Sequence, residues 1–248
     1  SPLRDGVIWV GTDDGNVQLT RDDGATWTNF TEEMEGPEPA TWVPHIEASK
    51  HEAGRAFVVL EDHRRGGWAP WIFMTDDFGG DWKNIGGGID GFVHTIEEDP
   101  VEPNLLFAGS ELGLWVSLDR GDSWHKWTHG FPTVPVRSLV VHPRDHDLAI
   151  GTFGRAIYIL DDIRPLRELA RSGEPGVLTA FDPPTAYLQR IAAMNGYHFS
   201  GDAVFKGETR MRGAMLSYWI PGDADGNDQG DGEGGEDATA PAEGRGTE

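Results

Sequence analysis

The sequence predicts an all-β fold built from repeated strand units, and three observations carry this prediction. An eight-residue pattern, [ST]-x-D-x-G-x-[ST]-W, occurs in full at 20–27 and 117–124 and with one departure at 75–82. An apolar run closed by Gly and a hydroxyl residue recurs before the pattern, at 7–12 and 105–110, and again at 148–152. The pattern starts at residues 75 and 117 lie 42 residues apart, the period of one four-stranded propeller blade.

Within each unit the strands follow in a fixed order. Runs rich in β-branched and aromatic residues read as first strands at 42–46, 92–96 and 136–141. The second strand of unit 2 is 57–60, and third strands are predicted at 17–19, 71–74, 114–116 and 156–160. The first two patterns start 55 residues apart, which predicts a longer loop inside unit 2.

The repeated pattern has the chemistry of a turn. Its Asp can accept backbone N–H bonds, its Gly allows a positive φ, and its Trp can anchor the hairpin in a core. This structural interpretation needs no substrate. It is assigned to Thr20, Asp22, Gly24, Thr26, Trp27, Thr75, Asp77, Gly79, Trp82, Ser117, Asp119, Gly121, Ser123 and Trp124.

The pattern resembles the Asp-box, or BNR repeat, of sialidases, two-propeller xyloglucanases, sortilin-type Vps10 domains and photosystem-II assembly-factor-like proteins. The resemblance implies a β-propeller in which the box caps the hairpin between the third and fourth strands of a blade and takes no part in catalysis. The segment 151–166 is similar to the closing blade of large bacterial sortilin-like BNR-repeat proteins, which are often labelled glycosyl hydrolases.

The fourth unit lacks a box, because 161–165 has neither Gly nor Trp. We therefore expect 1–168 to hold about three and a half blades, an incomplete ring completed by blades of the parent chain or by another chain. We expect 169–221 to hold a linker and the beginning of an Ig-like β module, as follows the propeller in those bacterial proteins. The Gly- and acid-rich tail 222–248 cannot bury apolar surface, which predicts disorder.

Composition excludes several classes of function. The net charge of −22 disfavours nucleic acid and anionic membranes as partners, and no apolar run is long enough to span a bilayer. The absence of Cys excludes a thiolate metal site and a Cys nucleophile. The histidines of 142–147 sit in a Pro-containing turn and do not form a helical metal site, so we expect neither metal nor cofactor.

Alternating strand direction puts the 2–3 loops on the face opposite the boxes, and we expect the ligand there. The loop 61–70 combines carboxylates, His, Arg and Trp, the side chains that grip a sugar or a peptide terminus, although a solvated insertion is the simpler interpretation. The ligand-binding candidates are Asp14, Glu61, His63, Arg64, Trp68, Glu111 and Arg155. The catalytic candidates, should the protein be an enzyme, are Glu61, Glu111 and Asp14.

Two functions remain open from the sequence. The first is a non-catalytic binding or scaffold propeller of an exported bacterial sortilin-like protein, with a protein, peptide or glycan ligand; export follows from the resemblance alone. The second is a glycoside hydrolase, xyloglucanase- or sialidase-like, whose paired carboxylates are completed by blades outside this chain. Paired carboxylates across an open cleft would favour the hydrolase, and an apolar or Arg-lined mouth would favour binding. The four tyrosines all fall late, at 158 and beyond, which disfavours a sialidase.

Overall fold

The computed structural model describes residues 1–186 and 213–221, and it confirms the all-β prediction. Four antiparallel sheets follow one another along the chain, each with its strands in sequence order. Blade 1 contains β1 (Ile8–Gly11), β2 (Val17–Thr20) and β3 (Thr28–Asn29). Blade 2 contains β4 (Trp42–Ala48), β5 (Ala56–Glu61), β6 (Trp71–Thr75) and β7 (Lys83–Asn84). Blade 3 contains β8 (Val93–Glu98), β9 (Leu106–Ser110), β10 (Gly113–Ser117) and β11 (His125–Trp127). Blade 4 contains β12 (Val136–Val141), β13 (Leu148–Thr152) and β14 (Ile157–Leu160).

The remaining described elements are short. Two 3-10 turns occupy Thr31–Glu33 and His63–Arg65. Helix α1 (Arg164–Ser172) follows blade 4 and is capped at its C-terminal end by Gly173. Strands β15 (Thr179–Ala180) and β16 (Tyr218–Trp219) pair with each other. The tail 222–248 and much of the predicted β module lie outside the described residues.

The core lies between neighbouring sheets. Buried side chains form one cluster between blades 1 and 2, a second between blades 2 and 3, and a third between blades 3 and 4 that also receives α1. The inner strands β4, β8 and β12 lie side by side, so residues at the same position of successive first strands come together. Packing sheet against sheet in this way buries the apolar face of every inner blade.

Each eight-residue segment, called a box below, forms the hairpin that joins the last two strands of its blade: β2 to β3, β6 to β7, and β10 to β11. In the first box, Thr20 Oγ1 donates to Asp22 Oδ1 at 2.7 Å and accepts from Gly24 N at 2.9 Å. Asp22 also accepts from Thr26, from the backbone N at 2.8 Å and from the hydroxyl at 2.6 Å. The third box repeats every one of these bonds, with Ser117, Asp119, Gly121 and Ser123 in the same places. In these two boxes, the carboxylates of Asp22 and Asp119 therefore accept hydrogen bonds from groups of their own turn.

The box tryptophans pack toward the preceding blade. Trp124 is buried and donates its indole N–H to Ile85 O at 2.6 Å, and Trp82 packs against Trp9 and Phe30 of blade 1. Trp27 is exposed, so the expected anchoring in a core is wrong for this residue. No described blade lies on the outer side of blade 1 to cover it.

Backbone conformation and close packing both require glycine in the second and third boxes. Gly121 has φ of 87° and Gly79 has φ of 90°, in the left-handed region where side chains are disfavoured. A Cβ at Gly121 would also lie 2.7 Å from Ile85, and one at Gly79 would lie 2.7 Å from Phe30. Both glycines thus let the hairpin approach the preceding blade.

Candidate functional site

The first strands of blades 3 and 4 carry the same irregularity at the same position. The pairing of β8 with β9 shifts between Val93 and Thr95, which leaves His94 as an extra residue. The pairing of β12 with β13 shifts between Val136 and Ser138, which leaves Arg137 as its counterpart. A bulge re-aims the side chain of the extra residue. Because β8 and β12 are neighbours, His94 and Arg137 meet.

His94 lies at the centre of the site and contacts a carboxylate on each side of its ring. Its Nδ1 is 2.7 Å from Glu61 Oε2, and its Nε2 is 3.0 Å from Glu111 Oε2. The imidazole is buried, while the Glu111 side chain is 30% exposed. One ring therefore links the end of β5 to the 2–3 loop of blade 3.

Glu61 is a buried carboxylate in a polar setting. It ends β5 at the position where the corresponding strands carry hydroxyl residues, such as Thr12 and Ser110. Its side chain has no exposed surface, and its second oxygen, Oε1, contacts His63 Nδ1. Among the described residues, neither of these two atoms makes a hydrogen bond of standard geometry.

Arg137 closes the polar part of the site. Its Nη1 is 3.0 Å from His94 Nδ1, and its Nη2 is 3.7 Å from Glu111 Oε2. The guanidinium also lies over the ring of Phe153, 5.8 Å from the ring centre. Its positive charge offsets one of the two carboxylates of the cluster.

Aromatic rings flank the polar groups. Phe92 stacks on His63 with ring centres 4.9 Å apart, meets His94 edge-on at 4.9 Å, and contacts Trp68 at 5.2 Å. Trp68 is 61% exposed and Phe153 is 70% exposed. The mouth cluster is defined here as Glu61, His63, Trp68, Phe92, His94, Glu111, Arg137 and Phe153.

The structure brings four of the predicted site residues into this cluster: Glu61, His63, Trp68 and Glu111. The other three lie elsewhere. Asp14 accepts bonds from Thr12 and Asn16 within its own loop, with Asn16 Nδ2 at 2.9 Å, and these bonds lower its pKa. The Arg64 guanidinium lies 4.6 Å from the centre of the Trp42 ring, and Arg155 is exposed in the loop after Phe153.

Four members of the mouth cluster were not predicted: Phe92, His94, Arg137 and Phe153. The sequence held one signal for them. Aligning the first strands places His94 and Arg137 at the same offset, directly after Val93 and Val136. The signal for Glu61 is similar, since a carboxylate replaces the hydroxyl residue at the end of the second strand.

A second charged cluster lies at the opposite ends of the same inner strands. Lys50 contacts Glu47, and its Nζ is 3.1 Å from Glu97 Oε1 and 2.9 Å from Glu98 O. Burial, followed by repulsion from Glu97, raises the pKa of Glu47 to about 8 despite the attraction of Lys50. This cluster lies between blades 2 and 3, with the side chains of Glu47 and Glu97 largely buried and that of Lys50 30% exposed.

In the part of the chain that the structure describes, no three His, Asp or Glu side chains are grouped so that they could hold a metal ion. The side chains of the mouth cluster contact one another through polar and ring contacts. What it can do chemically is hydrogen-bond, stack and hold protons.

Comparisons with known proteins identify the fold. No protein-family model matches the sequence, and no curated protein matches it. The chain is similar to the structure of the GH74 xyloglucanase from Xanthomonas campestris, with 17% identity and a TM-score of 0.54, over 73% of this chain and 31% of that one. A GH74 enzyme from Niastella koreensis has 15% identity and a TM-score of 0.52, over 75% of this chain and 31% of that one. YCF48 bound to D1 peptide has 16% identity and a TM-score of 0.46, over 63% of this chain and 47% of that one.

The two GH74 likenesses confirm the predicted β-propeller. At this level of identity they show the fold alone. The chain spans about a third of the length of those two structures.

Proposed function

We propose that this chain is a non-catalytic binding propeller whose ligand, a protein, peptide or glycan, sits on the mouth cluster. The observation that carries the proposal is the state of Glu61. Its side chain has no exposed surface, and each of its oxygens contacts an imidazole, one from His63 and one from His94. A carboxylate enclosed in this way has no exposed oxygen to offer a scissile bond or a water, which favours a binding role for the cluster.

The exposed part of the cluster has the composition of a recognition surface. Trp68 and Phe153 offer large rings that lose little conformational entropy on binding, and they lie on either side of the polar groups. Between them, Arg137 supplies N–H donors and Glu111 supplies a partly exposed acceptor. Concave or flanked arrangements of a few polar groups among aromatic rings are typical of ligand sites.

The wider context of the protein is part of the proposal. The boxes and the resemblance of 151–166 to sortilin-like BNR-repeat proteins support an exported bacterial protein, periplasmic, at the cell surface or secreted. The charge of −22 argues against nucleic acid as the ligand. None of the helices among the described residues is long and apolar enough to cross a bilayer.

The test is binding of the full chain to glycan and peptide arrays. We expect hits that weaken at least tenfold in Trp68→Ala and in Arg137→Gln. Trp27→Ala is the matched control, because Trp27 is an exposed tryptophan in a box, on the face away from the mouth, and its removal should leave the hits unchanged. Hits lost equally in all three variants, or kept in all three, would show that the ligand is not bound at the mouth cluster.

The runner-up is a glycoside hydrolase whose active site is shared with blades outside this chain. The observation in its favour is that two carboxylates, Glu61 and Glu111, flank one imidazole at the ligand face. The mouth cluster differs from the catalytic pair of an inverting glycoside hydrolase, in which a water must fit between two accessible carboxylates. Polysaccharide turnover by the parent protein that disappears in both Glu61→Gln and Glu111→Gln would replace the binding function with this one.

A further inference from the structure

We propose that helix α1 is joined to blade 4 by an acid-sensitive contact, the hydrogen bond between Arg167 and His146. The bond is made near neutral pH and opens when His146 binds a proton. It controls how firmly α1, and the chain that follows it, is held on the propeller. This inference concerns the protein without a ligand and does not depend on the proposed function.

His146 lies in the 1–2 turn of blade 4, between β12 and β13. Its carbonyl oxygen accepts from the backbone N–H of Ile163, 2.8 Å away, directly before α1 begins at Arg164. The backbone of His146 is left-handed, with φ of 60°. The turn and the start of the helix are therefore joined through the backbone, and the imidazole is placed beside α1.

The side-chain bond between the turn and the helix requires a neutral imidazole. Arg167 Nη1 lies 2.9 Å from His146 Nδ1. A guanidinium has donors but no acceptor and keeps its charge in proteins, so Nδ1 must accept with its lone pair. The single hydrogen of the neutral ring then belongs on Nε2. Protonation puts a hydrogen on Nδ1, and two N–H groups that face each other cannot bond.

Arg167 is the fixed partner of this bond, and His146 is the movable one. The Arg167 side chain is 5% exposed, and its other donors bond both oxygens of Asp99, which is fully buried. His146 is only half-buried, so its ring can turn toward solvent. We therefore expect protonation to displace the imidazole. Arg167 then keeps its bond to blade 3 and loses its bond to blade 4.

The groups around His146 favour its neutral form. Among the described residues, the charged side chains that face it or flank it are Arg164 and Arg167 of α1, Asp162 just before α1, Asp99 of blade 3, and Asp145 and Asp147 of its own turn. Burial, followed by repulsion from Arg167 and Arg164, lowers the pKa of His146 despite the attraction of Asp162 and Asp99. The shift has the direction that the hydrogen bond requires.

The direction of the pH effect follows from linkage. The folded state binds this proton more weakly than the unfolded chain does. The stability contributed by neutral His146 is therefore present above its ordinary pKa of 6.5 and is lost as the pH falls through the lowered value. Glu47 acts in the opposite direction, because its pKa is raised from 4.5 to about 8. Since Glu47 is present in every variant below, its effect cancels when their pH slopes are compared.

The experiment replaces the titrating acceptor with one that does not titrate. In His146→Asn, the amide oxygen takes the place of Nδ1 and accepts from Arg167 at any pH, and Asn tolerates the left-handed backbone of this position. Urea unfolding between pH 7.5 and pH 5 should show that acidification costs His146→Asn less stability than the unchanged chain, by up to one bound proton in the slope. His125→Asn, at an exposed histidine of β11, should keep the slope of the unchanged chain.

Amide hydrogen exchange tests the consequence for the helix. After correction for intrinsic exchange rates, the protection of α1 relative to that of β9 should fall between pH 7 and pH 5 in the unchanged chain. In His146→Asn it should stay constant. An equal fall in both proteins would show that His146 does not control how α1 is held.

Equal urea slopes for the unchanged chain and His146→Asn would overturn the proposal. If His146→Asn does not fold, nitrogen NMR of the histidine rings of the unchanged chain decides. A hydrogen on Nε2 alone at pH 7, with a titration midpoint below 6.5, supports the contact. A hydrogen on Nδ1 at pH 7, or a midpoint of 6.5 or above, refutes it. The outcome of the glycan and peptide arrays changes none of these results.

Discussion

At the scale of single residues, one side chain distinguishes the second box from the others. The Asp22 pKa is lowered to about 2, first by the Thr26 hydroxyl and then by its backbone N–H and Thr20. Burial raises the Asp119 pKa, but bonds from Ser123 and Ser117 outweigh it, so the net shift is downward. In the second box Asp81 replaces the hydroxyl residue, and its backbone N–H, 3.0 Å from Asp77 Oδ1, is the main cause of the lowered Asp77 pKa. Because folding lowers these three pKa values, the stability that the carboxylates contribute is present at neutral pH and is lost as the pH falls through the lowered values, which for Asp22 is about 2.

Restoring the hydroxyl in the second box should stabilise the protein. Asp81→Ser adds the bond to the central carboxylate that the other two boxes make at 2.6 Å, and it removes a like charge next to Asp77. We expect a gain of about 0.5–1.5 kcal/mol in the free energy of unfolding, measured in urea at pH 7. Asp81→Ala removes the charge without adding the hydroxyl, so an equal gain in both variants would assign the effect to charge alone.

At the scale of elements, helix α1 is held by a buried ion pair. Arg167 bonds both oxygens of Asp99, with Nη2 at 2.8 Å from Oδ2 and Nε at 3.0 Å from each oxygen. Asp99 is fully buried in the 1–2 turn of blade 3 and also accepts from the backbone N–H groups of Val101 and Glu102. The helix thus packs on one end of blade 3, where it is held by an ion pair whose two side chains are both buried.

The same helix offers a matched pair of variants for this bond. Arg167→Met keeps the aliphatic bulk and leaves a buried carboxylate without its cation, which should cost about 3–5 kcal/mol in the free energy of unfolding. Arg171→Met, one turn later, removes a side chain that is 57% exposed and 3.2 Å from Glu102, and should cost less than about 1 kcal/mol. Urea unfolding of the two variants measures the difference, and similar losses would contradict the assigned role of Asp99.

Elements could be predicted from this sequence because their signals are local. The apolar runs, the box turns and the helix that ends at Gly173 each depend on residues close in the chain. The mouth cluster depends on strand register, since a one-residue bulge decides that His94 and Arg137 point to the same place. Loop composition alone could not separate Arg64, which covers Trp42, from His63, which contacts Glu61.

At the scale of the whole molecule, both outer blades leave apolar surface uncovered. In blade 4, β14 pairs only with β13 among the described strands, and Ile157 and Ile159 are exposed on the same side of it. In blade 1, Ile8 and Val10 of β1 and the box residue Trp27 are exposed as well. Inner blades bury the corresponding surfaces against a neighbour, and we propose that further blades of the parent chain, or a partner chain, cover these edges.

This proposal predicts self-association of the isolated chain that depends on salt. The net charge of −22 keeps copies apart at low ionic strength, and molar salt shortens the screening length to about 3 Å, so that exposed strand edges can meet. Light scattering after size exclusion should show the mass rising with concentration in molar salt. Ile157→Lys with Ile159→Lys should suppress the rise, because charged side chains on an edge strand oppose pairing. Val101→Lys adds a charge at an exposed valine in the 1–2 turn of blade 3 and should leave the rise unchanged. A chain that remains monomeric in molar salt would show that these edges need no partner.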